Sequence, residues 1–159
     1  MNAIALSAAP FKATRFLSID RSSFLSPLIG EAWAWQSRNC WDFACHVQRE
    51  LFGRELPQIA VPADFSRRWV LDEFAGHPER ARWRQVQDGP GGLVTAADGA
   101  LVLMAHARFP AHIGVWLRQE GRVIHCDGKA GVACETVLAL RQVGWKKLMF
   151  FEPVTCTDL

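Results

Sequence analysis

The chain has 159 residues, of which 50% are hydrophobic and 21% are charged, and its formal net charge is +2. This length and balance fit one globular domain and exclude a disordered chain. A net charge this small gives no argument for a nucleic-acid partner, and no apolar run approaches the roughly 18 residues of a membrane span. Because the five cysteines are an odd number, at least one thiol is free.

The first residues show little periodicity. We expect residues 1–22 to form a lead-in segment and residues 23–159 to form a single domain. Met1–Ala13 is apolar in patches, but no basic residue precedes it and Pro10 and Lys12 interrupt it, so a secretory signal peptide is not indicated. We expect release in the cytoplasm, with any other compartment reached through a virion, a carrier or lysis.

The spacing of apolar residues predicts helices in the first half of the chain. A short helix is expected over Ser23–Trp35, with Pro27 early in it, where proline is tolerated. The clearest helix follows Asn39, a preferred N-cap, and Gly53 ends it before Pro57, which cannot resume it. Its apolar stripe consists of Cys40, Phe43, Ala44, Val47 and Leu51.

The second half changes from helical spacing to alternation. Residues 62–90 are rich in Arg, Trp and Glu and predict an insertion of one or two helices, whose interleaved charges favour a solvated face over a nucleic-acid surface. After the break at residues 89–92, a period of two predicts strands over 100–105, 112–118, 122–127 and 147–152, with a short helix over 135–143. Helices followed by antiparallel strands indicate an α+β fold.

Cys40 is the first residue of the clearest helix. The free backbone N–H groups and the helix dipole at that position favour negative charge, so we predict a lowered thiol pKa and a place for an oxyanion. A thiol nucleophile also needs a base and a group that orients the base. The alternative is that Cys40, a single cysteine on an apolar stripe, is a small core residue.

Two histidines on neighbouring predicted strands supply the base and the orienting group. If an even number of residues joins these strands, His112 and His125 share one face of the sheet. A two-residue loop sets His125 opposite Trp116, whereas a four-residue loop sets it opposite Gly114, diagonal to His112 and within contact. The candidate catalytic set is therefore Cys40 as nucleophile, His112 as base and His125 as orienting group.

Three blocks and a shorter upstream stretch carry a family resemblance. The blocks are Asn39–Phe43 with Arg49–Pro57, then Gly99–Met104 with Ala111–Leu117, then Gly121–His125, and the stretch is Leu28–Trp33. In residues, order and spacing they resemble the NlpC-type papain-like cell-wall peptidases, in particular the phage tail-associated subgroup. The similarity covers about residues 28–151, with 62–99 as a variable insertion.

The resemblance implies a papain-like fold whose nucleophile helix packs on an antiparallel sheet. It also implies a Cys40–His112–His125 endopeptidase that cleaves peptidoglycan stem peptides between D-glutamate and a diamino acid, at the cell wall or in the periplasm. The implied partners are peptidoglycan peptides and phage tail proteins. Neither a metal nor a cofactor is expected, because the remaining cysteines lack C-x-x-C spacing and are expected to pack. These are Cys45, Cys126, Cys134 and Cys156.

Several residues depart from the pattern of that family. Asn39 stands where Asp is usual, Asp42 and Phe43 where Gly and Leu or Phe are usual, and Ala100 where Asp is usual. The candidate substrate-binding residues are Trp33, Trp41, Asp42 and Trp116, with Trp33 in place of a tyrosine. The departures keep two alternatives open: a non-catalytic tail or envelope interaction module, and an acyltransferase or deamidase on the same fold.

Overall fold

A six-stranded antiparallel sheet forms the centre of residues 20–155, the part of the chain that this computed structural model describes. In spatial order the strands are β1, β6, β2, β3, β4 and β5. They span Trp83–Val86 (β1), Leu101–Ala105 (β2), His112–Leu117 (β3), Arg122–Asp127 (β4), Gly131–Thr136 (β5) and Lys147–Pro153 (β6). The expectations for residues 1–19 and for Cys156 lie outside the described residues.

The α-helices of the described residues are Arg21–Leu25 (α1), Cys40–Phe52 (α2), Arg67–Gly76 (α3) and Val137–Gln142 (α4). With the antiparallel sheet they confirm the predicted α+β class. None of these helices combines the length and apolar content needed to cross a bilayer.

The helix predicted over Ser23–Trp35 is wrong in its extent. It begins earlier, because Asp20 accepts a hydrogen bond from the Ser22 N–H at 3.1 Å and caps α1. It also ends at Leu25, since Pro27 lacks an N–H and Gly30 has a positive φ of 85°. The predicted boundary between lead-in and domain at residue 22 therefore falls inside α1.

The helix that begins at Cys40 is confirmed. Asn39 Oδ1 accepts from the N–H groups of Trp41 and Asp42 at 2.9 and 3.0 Å, which is N-cap geometry. Gly53 closes the helix in the left-handed conformation at φ 59°, and its N–H donates to the carbonyl of Arg49. Cys40 is thereby fixed as the first residue of α2.

The predicted strand over 122–127 is confirmed, and the other three predicted strands agree within one residue at each end. Two strands were not expected. β5 takes residues 135 and 136 from the predicted helix over 135–143, because these residues pair with β4 and Thr136 caps α4 through the Ala139 N–H at 3.2 Å. β1 lies within the insertion and extends the sheet at β6.

The sheet has a different cover on each face. On the α2 face, Phe43 and Val47 pack against Ile113 and Val115 of β3. On the α4 face, Leu140 and Trp145 pack with strand residues such as Met104. Alternation along each strand divides the side chains between these two cores.

The insertion over residues 62–90 contains helices, as predicted, and also one strand that was not predicted. α3 is followed by a 3-10 helix over Pro78–Arg82 and then by β1. Ser66 caps α3 by accepting from the Trp69 N–H at 3.1 Å, and His77 caps the 3-10 helix by accepting from the Glu79 N–H at 3.1 Å. Because β1 is hydrogen-bonded to β6, the insertion is tied to the sheet rather than being a free arm.

Candidate active site

His112 and His125 are in direct contact. The strands β3 and β4 are joined by the four residues 118–121, and His125 lies opposite Gly114. His112 Nε2 and His125 Nδ1 are 3.0 Å apart, a buried hydrogen bond. The diagonal arrangement predicted for a four-residue loop is confirmed.

Gly114 makes this close approach sterically feasible. A Cβ at this position would lie 3.1 Å from His125 Cβ and 2.6 Å from a methyl carbon of Val123. Any larger residue therefore forces β3 and β4 apart at the level of the two imidazoles.

A third polar group, which the sequence analysis missed, completes the chain of contacts. Glu135 Oε2 lies 3.0 Å from His125 Nε2. Glu135 is on β5, two residues beyond Ala133, the residue paired with His125, so both side chains share the α4 face. Glu135 was missed because residues 135–143 were predicted to form a helix. A strand after the turn at 128–130 would have placed Glu135 on the same face as His125 by alternation.

The order of these contacts fixes the protons on both rings. The Glu135 carboxylate accepts, so a neutral His125 carries its proton on Nε2 and accepts at Nδ1. The proton in the bond between the rings then belongs to His112 Nε2. This assignment leaves Nδ1 of His112 with a free lone pair, as a general base requires.

His112 is held in a closed environment. Its side chain is buried, and its ring stacks on Trp145 with centroids 5.0 Å apart and an interplanar angle of 16°. Trp145 also stacks with His106, at 3.8 Å. Burial, with a smaller contribution from neighbouring His125, lowers the pKa of His112 to about 3. The imidazole is therefore neutral at neutral pH.

Cys40 lies at the start of α2 and is partly exposed. Burial of the thiol raises its pKa to about 12. Hydrogen bonding from the backbone of Ile113 and Trp41 acts in the opposite direction but does not offset the desolvation. The predicted lowering of this pKa by the helix start is wrong for this structure, because desolvation of the thiolate outweighs the helix N-terminus.

The thiol and the histidines approach the same strand from different sides. Cys40 packs with the core on the α2 face, whereas His112 stacks on Trp145 of the core on the α4 face. The backbone of Ile113, one residue beyond His112, is the part of β3 that bonds the thiol. Within residues 20–155 no hydrogen bond joins Cys40 to His112, so the predicted triad is not closed.

A cavity of about 110 Å³ opens beside Cys40. Its walls are mainly aromatic and aliphatic side chains, and the insertion supplies one wall through α3, the 3-10 helix and β1. The aromatic lining consists of Trp35, Trp41, Trp69, Phe74, Trp83 and Phe151. No pattern in the sequence predicted this cavity.

The four candidate substrate-binding residues are dispersed. Trp41 lines the cavity, and its Nε1 donates to the Pro57 carbonyl at 3.0 Å. Trp33 lies outside the cavity lining and contacts Trp35, with ring centroids 5.7 Å apart. Asp42 lines a separate polar cleft and accepts from Asn39 Nδ2 at 2.6 Å.

Trp116, the fourth of these residues, belongs to the core on the α4 face. It is 6% exposed and packs edge-on against Phe150. Its Nε1 is buried and has no hydrogen-bond partner in the described part of the chain. Trp116 is therefore a packed residue in this structure and does not reach the cavity beside Cys40.

The other cysteines with described positions are Cys45, Cys126 and Cys134, and all three carry free thiols. Cys45 and Cys126 are buried in the α2-face core and Cys134 packs against it, as expected. Between residues 20 and 155, no group of three His, Cys, Asp or Glu side chains is arranged to hold a metal ion.

These elements define an α+β protein with an antiparallel six-stranded sheet, which has a buried histidine pair on one face and a helix that begins with cysteine on the other. A scan against protein-family models and a search of the curated proteins gave no match.

Proposed function

We propose that this chain is a cysteine hydrolase with a papain-like fold of the NlpC type, which cleaves amide bonds through Cys40, His112 and His125. The observation that carries the proposal is the hydrogen-bonded series from Glu135 through His125 to His112, with a spacing of 3.0 Å at each step. A buried series of this kind serves to orient a base.

Each residue has a defined part in the proposed reaction. His112 Nδ1 takes the proton from the Cys40 thiol while the sulfur attacks the amide carbonyl carbon, and the backbone N–H of Cys40 donates to the oxyanion. His112 then donates this proton to the leaving amine. Water, deprotonated by His112, then hydrolyses the thioester and restores the thiol. His125 keeps the ring of His112 in the required tautomer.

The protonation states of Cys40 and His112 favour a concerted step, in which the sulfur attacks the carbonyl carbon while the thiol proton moves to His112. At neutral pH the thiol, with a pKa of about 12, and His112, with a pKa of about 3, are both neutral. A preformed thiolate–imidazolium pair is therefore not the resting state. Because Cys40 and His112 lie on different sides of β3, the proton transfer requires that substrate binding rearrange the start of this strand so that Nδ1 of His112 reaches the thiol.

The substrate implied by the family resemblance is the peptidoglycan stem peptide, cut between D-glutamate and a diamino acid. Under this proposal the protein acts at the cell wall or in the periplasm, delivered by a virion, a carrier or lysis, and phage tail proteins are its partners. An acyltransferase or deamidase would use the same three residues with a different acyl acceptor or leaving group.

Digestion of purified peptidoglycan tests the proposal. We expect wild-type protein to release stem-peptide fragments with new amino groups, and Cys40→Ala to release none. Cys134→Ala is the matched control, because Cys134 is a partly buried thiol of β5 outside the proposed site. Equal release by Cys40→Ala and wild type would contradict the proposal.

A second candidate is a non-catalytic tail or envelope interaction module. Two observations favour it: the neutral thiol and the absence, within residues 20–155, of a hydrogen bond between Cys40 and His112. This candidate predicts a Cys40 thiol that alkylating reagents do not modify, together with co-purification on a tail protein. Digestion that depends on Cys40 would contradict it.

A further inference from the structure

We infer that the cavity beside Cys40 binds an apolar acyl chain of the substrate, so that the preferred substrates are esters or amides of apolar carboxylic acids. This inference rests on the proposed hydrolase function and changes the substrate class implied by the resemblance. It comes from the chemistry of the cavity walls and from their position relative to the sulfur.

The cavity begins at the nucleophile. Cys40 and Ile113, whose backbone bonds the thiol, are both part of its lining. A carbonyl carbon placed for attack by the sulfur therefore directs one of its substituents into this space. The other substituent, the leaving group, remains outside it.

The walls consist mainly of large apolar side chains. The aliphatic part of the lining consists of Ile59, Val61, Val70, Leu101, Leu103 and Ile113. Four of the seven tryptophans of the chain complete these walls. Burial of hydrocarbon is favourable in such a space, whereas a charged peptide group would lose its hydration without compensation.

Several polar groups in the lining are already engaged with the protein. Trp41 Nε1 donates to the Pro57 carbonyl at 3.0 Å, and Trp83 Nε1 donates to Glu79 at 2.9 Å. Arg80 donates to the Phe74 carbonyl at 2.8 Å.

The ionisable groups of the lining carry both signs of charge. Glu73 and Glu79 contribute carboxylates and Arg80 contributes a guanidinium, so no single charge in the lining selects a charged ligand. With the engaged groups and the apolar walls, this leaves the lining suited to hydrocarbon.

The reaction balances for an ester as it does for an amide. The Cys40 sulfur forms a bond to the acyl carbon, the bond from that carbon to the alcohol oxygen breaks, and the alcohol leaves with the thiol proton carried by His112. Water then cleaves the thioester, which yields the free carboxylic acid and the thiol.

A series of p-nitrophenyl esters from acetyl through butyryl and hexanoyl to octanoyl tests the inference. We expect kcat/KM to rise with chain length, by up to about fourfold for each added methylene that is buried. Cys40→Ser should lose hydrolysis of every ester in the series, because oxygen is a much weaker nucleophile at this site.

A variant that fills the cavity makes the test specific. Val70 of α3 lines the cavity, so Val70→Phe should lower kcat/KM for the octanoyl ester by about tenfold or more relative to kcat/KM for the acetyl ester. Val143→Phe is the matched control, since Val143 is an exposed residue at the end of α4 and lies outside the cavity.

Binding gives a readout that does not depend on catalysis. An octanoate brominated at its terminal carbon should quench tryptophan fluorescence in Cys40→Ala, because Trp35, Trp41, Trp69 and Trp83 line the cavity. The same quencher should have little effect on Cys40→Ala combined with Val70→Phe, and a full effect on Cys40→Ala combined with Val143→Phe.

The outcomes separate the inference from the function on which it rests. Hydrolysis that requires Cys40 but shows no dependence on chain length and no effect of Val70→Phe overturns the acyl-chain inference and leaves the hydrolase standing. Quenching abolished by Val70→Phe, without any hydrolysis that requires Cys40, supports the binding site and overturns the hydrolase. Neither hydrolysis nor quenching overturns both.

Discussion

The carboxylate of Glu135 accepts a hydrogen bond from Nε2 of His125 at 3.0 Å. Because His125 in turn contacts His112, a residue on β5 determines which nitrogen of His112 on β3 carries a proton. The acid–base property of the site therefore depends on the pairing of three consecutive strands.

Replacement of Glu135 tests this dependence. Glu135→Gln offers an amide N–H to His125 Nε2, which favours the opposite tautomer in both rings, and we expect kcat to fall by about 10²- to 10⁴-fold. Imidazole nitrogen chemical shifts measured by NMR should report the exchanged tautomers directly. Glu55→Gln, at an exposed position, is the control. Unchanged nitrogen shifts in Glu135→Gln would contradict the role assigned to Glu135.

The sequence predicted the histidine pair but not the carboxylate. Alternation along 112–118 and 122–127 is a local property, so the facing of His112 and His125 could be derived from two short segments and one loop length. Glu135 was concealed because residues 131–136 form a strand through pairing with β4, and their own pattern was assigned in part to a helix. Local propensity was overridden by tertiary pairing.

The cavity could not be derived from the sequence for a related reason. Its lining comes from the start of α2 and the segment before it, from residues 59 and 61, from the insertion and from β2, β3 and β6. No spacing rule connects such distant segments.

The pKa of the Cys40 thiol was wrongly predicted for a similar reason. The start of the helix is visible in the sequence, whereas the desolvation of Cys40 by surrounding side chains is not.

Thiol alkylation checks the protonation state of Cys40. With a pKa of about 12, the thiolate fraction should rise by about tenfold for each pH unit between about pH 7 and about pH 9, without a plateau. The measurement is the iodoacetamide labelling rate of the Cys40 peptide by mass spectrometry. Glutathione in the same reaction is the internal control and should level off near its own pKa. A plateau for Cys40 below about pH 7 would indicate an ion pair with His112 instead.

The buried His112 should make stability depend on pH. Its pKa is about 3 in the folded protein, against an ordinary value of 6.5. Between these values the unfolded chain binds more protons, so stability falls as the pH falls. We expect a loss of about 3 kcal/mol in the free energy of unfolding from about pH 6.5 to about pH 4.

Urea denaturation at a series of pH values measures this loss. In His112→Gln the residue cannot gain a proton, so the slope of stability against pH should be smaller over the same range. Parallel slopes for wild type and His112→Gln would show that His112 is not protonated in the unfolding transition and would contradict this prediction.

Gly114 should tolerate no side chain. In Gly114→Ala the new methyl meets Val123 at 2.6 Å, the Ile124 carbonyl oxygen at 2.9 Å and His125 Cβ at 3.1 Å. We expect a loss of about 1–3 kcal/mol in the free energy of unfolding and a loss of activity, because His125 is displaced from His112. Gly128→Ala is the control, as a Cβ there meets nothing within 4 Å. Equal stability of the two variants would contradict the steric role of Gly114.

Asn39 and Asp42 stand where the peptidase family that the sequence resembles has other residues, and they contact each other. Asn39 Nδ2 donates to Asp42 at 2.6 Å and to the Trp35 carbonyl at 3.0 Å, while Oδ1 caps α2. An aspartate at position 39 would keep the cap, lose both donated bonds and set two carboxylates together. We therefore expect Asn39→Asp to lower the free energy of unfolding by about 1–2 kcal/mol at neutral pH.

A double-mutant cycle separates the pairwise contact from the loss of the bond to Trp35. In the background of Asp42→Asn, residue 42 offers an amide that can donate to a carboxylate at position 39, so Asn39→Asp should cost less there than in wild type. The difference should also shrink below about pH 4, where carboxylates take up protons. Urea denaturation of the four proteins at two pH values measures both effects. An equal cost of Asn39→Asp in both backgrounds would show that the two residues are not energetically coupled.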